Sequence, residues 1–400
     1  MRILMISLDQ KILEEGSVAQ ARHFEYGKIC DELHIVVLHA NQPQSFDGAQ
    51  RECESESTRK LSFSQQEKIS EKIHSNVRIY GVKGKNKIFR LWDGYKKAKA
   101  IVESGKPHLA SPSKGEETKF VVTTQDAGFT GLLGYLLKKN YGVKLNIQIH
   151  GQEEKLFNKI LLFPFQKLII RNADSIRVVS ERLKNLVVGE YGVDTAKIYV
   201  ISIYSEFAGK LRNLKFEIRN CESIKYFNIL TVGRLVKVKN IKLQIEALAE
   251  VIKIFPNIRL VIVGDGHEKN NLQKIAKRLK VEDKVEFAGW QDNVADYYKK
   301  ADLFLLTSNS EGWGMAAMEA MAAAVPVIMT DVGCAGEILK NEENSLIIPI
   351  NDKKSLIAAI CTMITDVEKK ERFSKNAKLT VDNLLDKDKT IEVYRKMWER

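Results

Sequence analysis

The stretch Asp302-Leu-Phe-Leu-Leu-Thr-Ser-Asn-Ser-Glu311-Gly-Trp-Gly-Met-Ala-Ala-Met-Glu319-Ala-Met-Ala-Ala-Ala-Val-Pro326-Val-Ile-Met329 decides how the chain folds. Residues 303 to 306 are an unbroken apolar run, as a parallel strand buried on both faces requires. Gly312 and Gly314 break it. From Met315 to Ala323 every residue except Glu319 is Ala or Met, which favours a helix with side chains small enough to pack closely on a sheet. A strand over 325–329 completes a βαβ unit carrying two carboxylates. Each acid has a plain reading, Glu319 as a partly exposed helix residue and Glu311 as a loop acid near a helix N-terminus. Their combination, with seven residues between them and two glycines baring backbone N–H groups at a helix start, marks a place for an anionic ligand.

Working outward, the 400 residues exceed what one hydrophobic core usually serves, so two domains are expected. A hydrophobic fraction of 44% and a charged fraction of 28% describe an ordinary globular chain. Apolar runs such as 160–165 are too short to span a bilayer. The apolar start, 3–8, meets polar and acidic residues at once, so no signal peptide is expected. Cys30, Cys53, Cys221, Cys334 and Cys361 are scattered without metal-ligand spacing and read as reduced thiols of a cytoplasmic protein. The net charge of +12 implies an anionic partner. Nucleic acid is the weaker choice, because the basic segments lack the aromatic interleaving that stacks bases.

The first half alternates strands and helices from Arg2 to about Ile201, as a doubly wound domain does. Gly16, in the loop after the first strand, is a plain turn or a weak phosphate-loop signal. Residues 41–72 read as a polar surface insertion. Residues 83–99 gather seven basic residues around Ile88, Phe89, Leu91, Trp92 and Tyr95, and 155–165 form a second cationic and aromatic segment. Each is either a solvated helix with one core face or a contact with an anionic membrane surface. His150 follows the end of a strand, where open α/β sheets bind ligands, although a structural histidine fits there too. Residues 204–224 read as a linker, with 206–224 as its bounds, between domains at 1–205 and 225–385; a terminal helix over 386–400 packs back on the first domain.

In the second half, Gly233, Arg234 and Lys239 surround a turn that meets a helix start, a place where two cations can neutralise a diphosphate. Gly264 and Gly266 close the next strand, and their lack of side chains would let a ligand approach. Each of these signals is also common in an ordinary lysine-rich protein.

Together the second-half residues form a family pattern. The sequence resembles retaining glycosyltransferase family 4 of the GT-B fold, in which two Rossmann-like domains face each other across a cleft. The resemblance is carried by Val232-Gly-Arg234-Leu, Lys239, Val263-Gly-Asp-Gly266, Phe287-Ala-Gly-Trp290, Ser310-Glu311-Gly-Trp-Gly, Glu319-Ala-Met, Pro326-Val-Ile and Ala335-Gly-Glu337. In the first half it rests on Ile149-His150-Gly151 and on Ala173-Asp174 with Val178-Val-Ser180. It implies a UDP-, GDP- or ADP-sugar donor, with Arg234 and Lys239 on the diphosphate, Glu311 on sugar hydroxyls, Glu319 on ribose hydroxyls and backbone near Trp290 on the base. Gly16, Gly233, Gly264, Gly266, Gly312, Trp313 and Gly314 belong to the same expected donor site. His150 would meet the sugar near the reacting carbon. Transfer with retention then proceeds by front-face departure and attack, with no carboxylate nucleophile, no metal and no cofactor. Asp386 and Asp388, in a polar stretch, read as chance. The acceptor expected for such a protein is a glycan or lipid-linked precursor of a surface polysaccharide, and the expected location is cytoplasmic, with the two basic, aromatic segments pointing to the inner face of the cell membrane.

Three positions depart from the family pattern: Gly16 stands alone where paired glycines are usual, and Ala324 and Ser345 occupy usual glycine positions. Other functions on such a fold are a nonhydrolysing nucleotide-sugar epimerase and a nucleotide-sugar-binding protein without catalysis. A dinucleotide dehydrogenase is disfavoured, since no GxGxxG follows either first strand.

Overall fold

The computed structural model describes residues 1–40, 76–84, 86–104, 120–151, 163–204, 206–212, 226–384 and 387–400. They divide into two compact units: Met1–Val178 with Val187–Tyr199 and Ile391–Arg400, and Val179–Leu186 with Val200–Thr390. The expected insertion at 41–72, most of the cationic segment at 155–165, and Cys53, Cys221 and Asp386 lie outside the described residues.

The first unit is built on β1 (Arg2–Ser7), β2 (Glu32–Ala40), β3 (Val77–Gly84), β4 (Phe120–Thr124), β5 (Lys144–Ile149), β6 (Ser175–Val178) and β7 (Ile198–Val200), in the order β3-β2-β1-β4-β5-β6-β7. Both neighbours of β1 run parallel to it, with Ile3 opposite Leu33 on one side and Val121 on the other. Strands so placed are covered on both faces, which is why β1 and β4 read as continuous apolar runs. Leu4, Ile6, Val36, Val122, Leu133 and Leu137 form one side of that core, with Ala98, Ile101 and Val102 from the helix Lys87–Ser104. The final helix, Lys387–Glu399, buries Tyr394, Met397 and Trp398.

The second unit carries β8 (Phe227–Val232), β9 (Ile258–Val263), β10 (Val285–Gly289), β11 (Leu303–Leu306), β12 (Val327–Thr330) and β13 (Leu346–Ile348), in the order β10-β9-β8-β11-β12-β13. All the pairings are parallel. The order reverses between β8 and β11, the switch point at whose carboxyl ends open α/β sheets bind ligands. Asp302, just before β11, accepts on its carboxylate from the Asn228 N–H at 2.8 Å, so this 5% exposed acid is satisfied beside the sheet. The four residues Leu303–Leu306 are all buried, each contributing roughly 1.5–3 kcal/mol of burial.

The decisive stretch folds as expected up to its second strand, which starts at Val327 and not at Val325. The helix Met315–Ala322 ends with Ala324 in the left-handed region at φ 56°, and the Val325 N–H returns to the Ala320 carbonyl at 2.9 Å. That is a Schellman turn, and it uses Val325 before the strand can begin. The helix ahead of β11 is short, Ala295–Lys300. The stretch read as a linker from 206 begins with the helix Glu206–Arg212, packed against Met315–Ala322, and 213–225 lies outside the described residues.

Candidate active site

The loops leaving β8 and β11 are fastened to each other. The Asn309 N–H donates to the Val238 carbonyl at 2.8 Å, and the buried Thr307 hydroxyl lies 3.3 and 3.2 Å from the carbonyls of Lys239 and Asn240. Beneath them Gln244, 1% exposed, donates to the hydroxyl oxygen of Thr307 at 2.9 Å. Buried polar groups must be bonded to be tolerated, so this network fixes how the two loops meet.

The result is a contact between two residues 72 positions apart. Lys239 Nζ donates to Glu311 Oε1 at 2.5 Å, and Ser308 Oγ donates to the same oxygen at 2.6 Å. The Lys239 side chain is 24% exposed and that of Glu311 12%. Among the described residues nothing bonds Glu311 Oε2, so the carboxylate keeps an acceptor for a hydroxyl. Ser308 is itself held where Thr330 Oγ1 donates to its carbonyl at 2.6 Å. Arg234 is exposed in the same β8 loop. Gly314 caps the helix Met315–Ala322 at φ 97°, leaving the first N–H groups of an eight-residue helix to meet a negative charge.

Gly264 and Gly266 meet a need of the chain's own backbone. A Cβ on Gly264 would lie 2.0 Å from the Gly233 carbonyl oxygen, and one on Gly266 would lie 2.4 Å from that of Leu235. The close approach is that of the chain's own backbone, which stacks the β8 and β9 loops. Trp290 is 66% exposed, with its indole N–H 3.3 Å from Asp292 Oδ1. Trp313, at 4% exposure, buries its ring and leaves only backbone to face a ligand, the carbonyl already accepting from Cys334 at 3.0 Å. Gly312 is half-buried between Glu311 and Trp313.

Glu319 finds the partner its apolar helix demands. Tyr298, wholly buried, donates its hydroxyl to Glu319 Oε2 at 2.9 Å. Burial nevertheless pushes the Glu319 carboxyl up to about 7, with the Tyr298 bond working in the opposite direction.

Two candidates belong to the first unit. Gly16 adopts φ 73° with open space where a Cβ would stand, and its N–H donates to Gln20 Oε1 at 3.1 Å. His150 is partly exposed at the end of β5. Its Nδ1 lies 3.2 Å from Arg177 Nη1, and burial with the charges of Arg177 and Arg22 pushes the imidazole down to about 3.

Ser308, Tyr298 and Arg177 each hold a candidate residue, and none was singled out from sequence. Arg177 left a trace, as a charge inside the apolar strand Ser175–Val178. Ser308 and Tyr298 left none, since nothing in a spacing of 3 or 21 residues forecasts a contact made by tertiary packing. Among the described residues no three His, Cys, Asp or Glu side chains gather as a metal site would. Cys30, Cys334 and Cys361 are free, and burial pushes the first two thiols up to about 12.

Two doubly wound α/β units, one with a cation, a carboxylate and a helix start at its switch point, define a protein of the GT-B class. Residues 216–380 match the family model of glycosyl transferases group 1. The N-acetyl-alpha-D-glucosaminyl L-malate synthase of Bacillus anthracis is 26% identical over 276 residues, 67% of this chain and 71% of that protein. The lipopolysaccharide core biosynthesis glycosyltransferase LpsE of Rhizobium meliloti is 29% identical over 166 residues, 42% of this chain and 48% of that protein. HepE of Anabaena, solved in complex with UDP, shares the fold with a TM-score of 0.70 at 16% identity, covering 100% of this chain and 99% of that one. The second unit thus carries the region that the group 1 glycosyl transferase model describes, and the chain's similarity to relatives of this kind extends beyond that region.

Proposed function

We propose that the enzyme moves a sugar from a nucleotide-sugar donor, with retention at the anomeric carbon, to a lipid-linked or cell-surface polysaccharide precursor. The observation that carries this reading is the Lys239–Glu311–Ser308 cluster at the switch point, beside the N-terminus of Met315–Ala322. A departing diphosphate is met by Lys239, Arg234 and the helix N–H groups, positioned charges that are worth most where charge develops. Glu311 Oε2 accepts from a sugar hydroxyl and Glu319 from ribose hydroxyls, while backbone around Trp290 meets the base. His150 contacts the sugar. No carboxylate acts as nucleophile, and the reading calls on no metal or cofactor, because the cations take up the leaving-group charge.

The similarity to LpsE, a lipopolysaccharide core enzyme, supports an acceptor of that kind, and HepE, which binds UDP, supports a uridine donor. The membrane part rests on the first turns of the helix Lys87–Ser104, where Ile88, Phe89 and Trp92 are 77%, 56% and 56% exposed among lysines. Aromatics of that kind sit at headgroup level, with Lys and Arg toward anionic lipid. The enzyme then works at the cytoplasmic face of the membrane. Among the described residues no helix is long and apolar enough to cross it.

Thermal unfolding with UDP-, GDP- and ADP-sugars tests the donor, since a ligand bound only by the folded state raises the melting temperature. The expected result is stabilisation by one nucleotide class, and transfer from it with the product's anomeric configuration unchanged by NMR. No stabilisation by any of them, or a sugar altered while still attached to its nucleotide, overturns the reading.

A further inference from the structure

Arg177 is a charge in the middle of a buried strand. Its neighbours Ile176 and Val178 are wholly buried, and Arg177 itself is 3% exposed. Its guanidinium lies over the Tyr394 ring, 5.4 Å from the centroid, and places Nη1 3.2 Å from His150 Nδ1. Tyr394 belongs to the C-terminal helix and is 2% exposed, with the rings of Tyr26 and Trp398 at 4.9 and 5.3 Å from its own. That helix is fastened to the first sheet, where Lys144 Nζ donates to the Arg400 carbonyl at 2.6 Å and Asn146 Nδ2 lies 3.4 Å from the Met397 sulfur. A guanidinium so held by ring and strand has little freedom to turn away from the imidazole.

The chemistry of the contact sets the tautomer. Guanidinium carries five N–H donors and no acceptor, so at this distance His150 Nδ1 has to offer a lone pair. The ring's one proton is then on Nε2. We propose that Arg177, clamped by Tyr394, is a positioning residue that fixes His150 as a neutral Nε2–H donor toward the bound sugar. The inference rests on His150 being a sugar contact, as stated under the proposed function. It adds that His150 gives a hydrogen bond to a sugar hydroxyl or diphosphate oxygen and takes no proton, because its other nitrogen is already engaged. The low position of the imidazole, caused by burial and by Arg177 and Arg22, agrees with a ring kept neutral. It also gives the last helix of the chain a part in the site, through Tyr394 and Arg177.

The test uses the full-length protein with 15N-labelled histidine. Of seven histidines, His150 is identified by the resonance lost in His150→Gln. In wild type at neutral pH, long-range proton–nitrogen spectra are expected to show a bare Nδ1 and a protonated Nε2 for this ring. A ring protonated on Nδ1, or on both nitrogens, overturns the proposal without any assay. In Arg177→Met the ring is expected to sample both tautomers, and kcat for transfer to fall on the order of 10–100-fold with KM for the donor little changed. Arg177→Lys, which keeps a donor, recovers part of both readouts. An Arg177→Met protein that melts earlier but keeps the wild-type tautomer and kcat shows a merely structural role and sinks the idea. Should that variant not fold, Tyr394→Leu loosens the guanidinium from the other side and is expected to move the same resonances. A wild type that transfers no sugar refutes the proposed function alone, because the spectra read the tautomer independently of turnover.

Discussion

Lys239 and Glu311 neutralise each other across two loops of the second unit, 2.5 Å apart and largely shielded from water. The pair gives each residue a role before any donor arrives: the cation holds the acid in place, and the acid keeps the cation from straying. Removing one partner of a shielded pair costs more than the pair is worth, because the other charge is left behind. Here Ser308 still bonds Glu311 when Lys239 is lost, so Lys239→Met is expected to unfold only slightly earlier in urea. Its transfer rate is expected to fall by about 10²–10³, the loss typical of one positioned charge at a reacting group. Glu311→Gln and the double variant complete a cycle in urea unfolding, with a coupling of about 0.5–3 kcal/mol expected for residues in contact. Additive effects, or a Lys239→Met enzyme with near-normal rates, contradict this account.

Glu319 makes stability depend on pH in a direction opposite to most acids. Burial raises its carboxyl to about 7 from 4.5, so the folded state binds its proton more tightly than the unfolded chain does. The stabilisation is therefore complete below about 4.5 and is lost as pH rises through about 7. Its size is on the order of 1–3 kcal/mol for a group still partly exposed. Urea unfolding of Glu319→Gln is expected to show a flatter profile over that window than wild type. In Tyr298→Phe the bond that lowers the carboxyl is gone, and the window should extend to higher pH. Parallel profiles for wild type and Glu319→Gln would remove the basis for this reading.

The parallel sheets were legible in the sequence because their strands are buried on both faces, and a run such as 303–306 admits little else. The two carboxylates were legible as anomalies, one in a glycine turn and one in an alanine and methionine helix. What holds them was not, since Ser308 and Tyr298 reach them through the packing of neighbouring loops and helices. The glycines show the same limit from another side. Gly264 and Gly266 were read as room for a ligand, and on the side where a side chain would stand that space holds the carbonyls of Gly233 and Leu235. A sequence shows that a side chain is absent, and only the fold shows what occupies its place.

That difference separates two glycine substitutions. Alanine at Gly264 puts a Cβ 2.0 Å from a backbone oxygen that has no flexible end to yield, and overpacking of this kind typically costs about 1–3 kcal/mol, with left-handed strain in addition. Gly16→Ala meets open space at φ 73°, so it carries only the strain of about 1–2 kcal/mol. Thermal unfolding should rank Gly264→Ala well below Gly16→Ala, and equal melting temperatures would contradict the assignment.

For the membrane contact, the first turns of the helix Lys87–Ser104 are the part to alter. Trp92 is exposed, with Lys96 Nζ 5.4 Å from its ring centroid, while Ala98, Ile101 and Val102 farther along are buried in the core. Phe89→Ser with Trp92→Ser therefore changes the surface and spares the fold. Sedimentation with anionic vesicles is expected for wild type at low salt, weakening as salt screens the lysines, and the double variant should lose most of it. Wild type that sediments no better with anionic than with neutral vesicles refutes the contact.

Ala324 closes the helix that carries Glu319, in a conformation that suits glycine better. Its φ of 56° brings Cβ close to the following carbonyl, a cost of roughly 1–2 kcal/mol for a residue other than glycine. Replacing it with glycine removes that strain but loosens the unfolded chain, which takes back about 0.4–1 kcal/mol. The net expectation for Ala324→Gly is a gain of up to about 1.5 kcal/mol, seen as a higher melting temperature. Ala323 provides the control, since it stands one residue earlier with φ −83° and ψ 7°. Glycine there relieves nothing and adds unfolded-state freedom, so Ala323→Gly should melt earlier than wild type. If both substitutions lower the melting temperature equally, the left-handed alanine is not the strained point of this turn, and the helix end that positions Glu319 is held by Val325 and Pro326 instead.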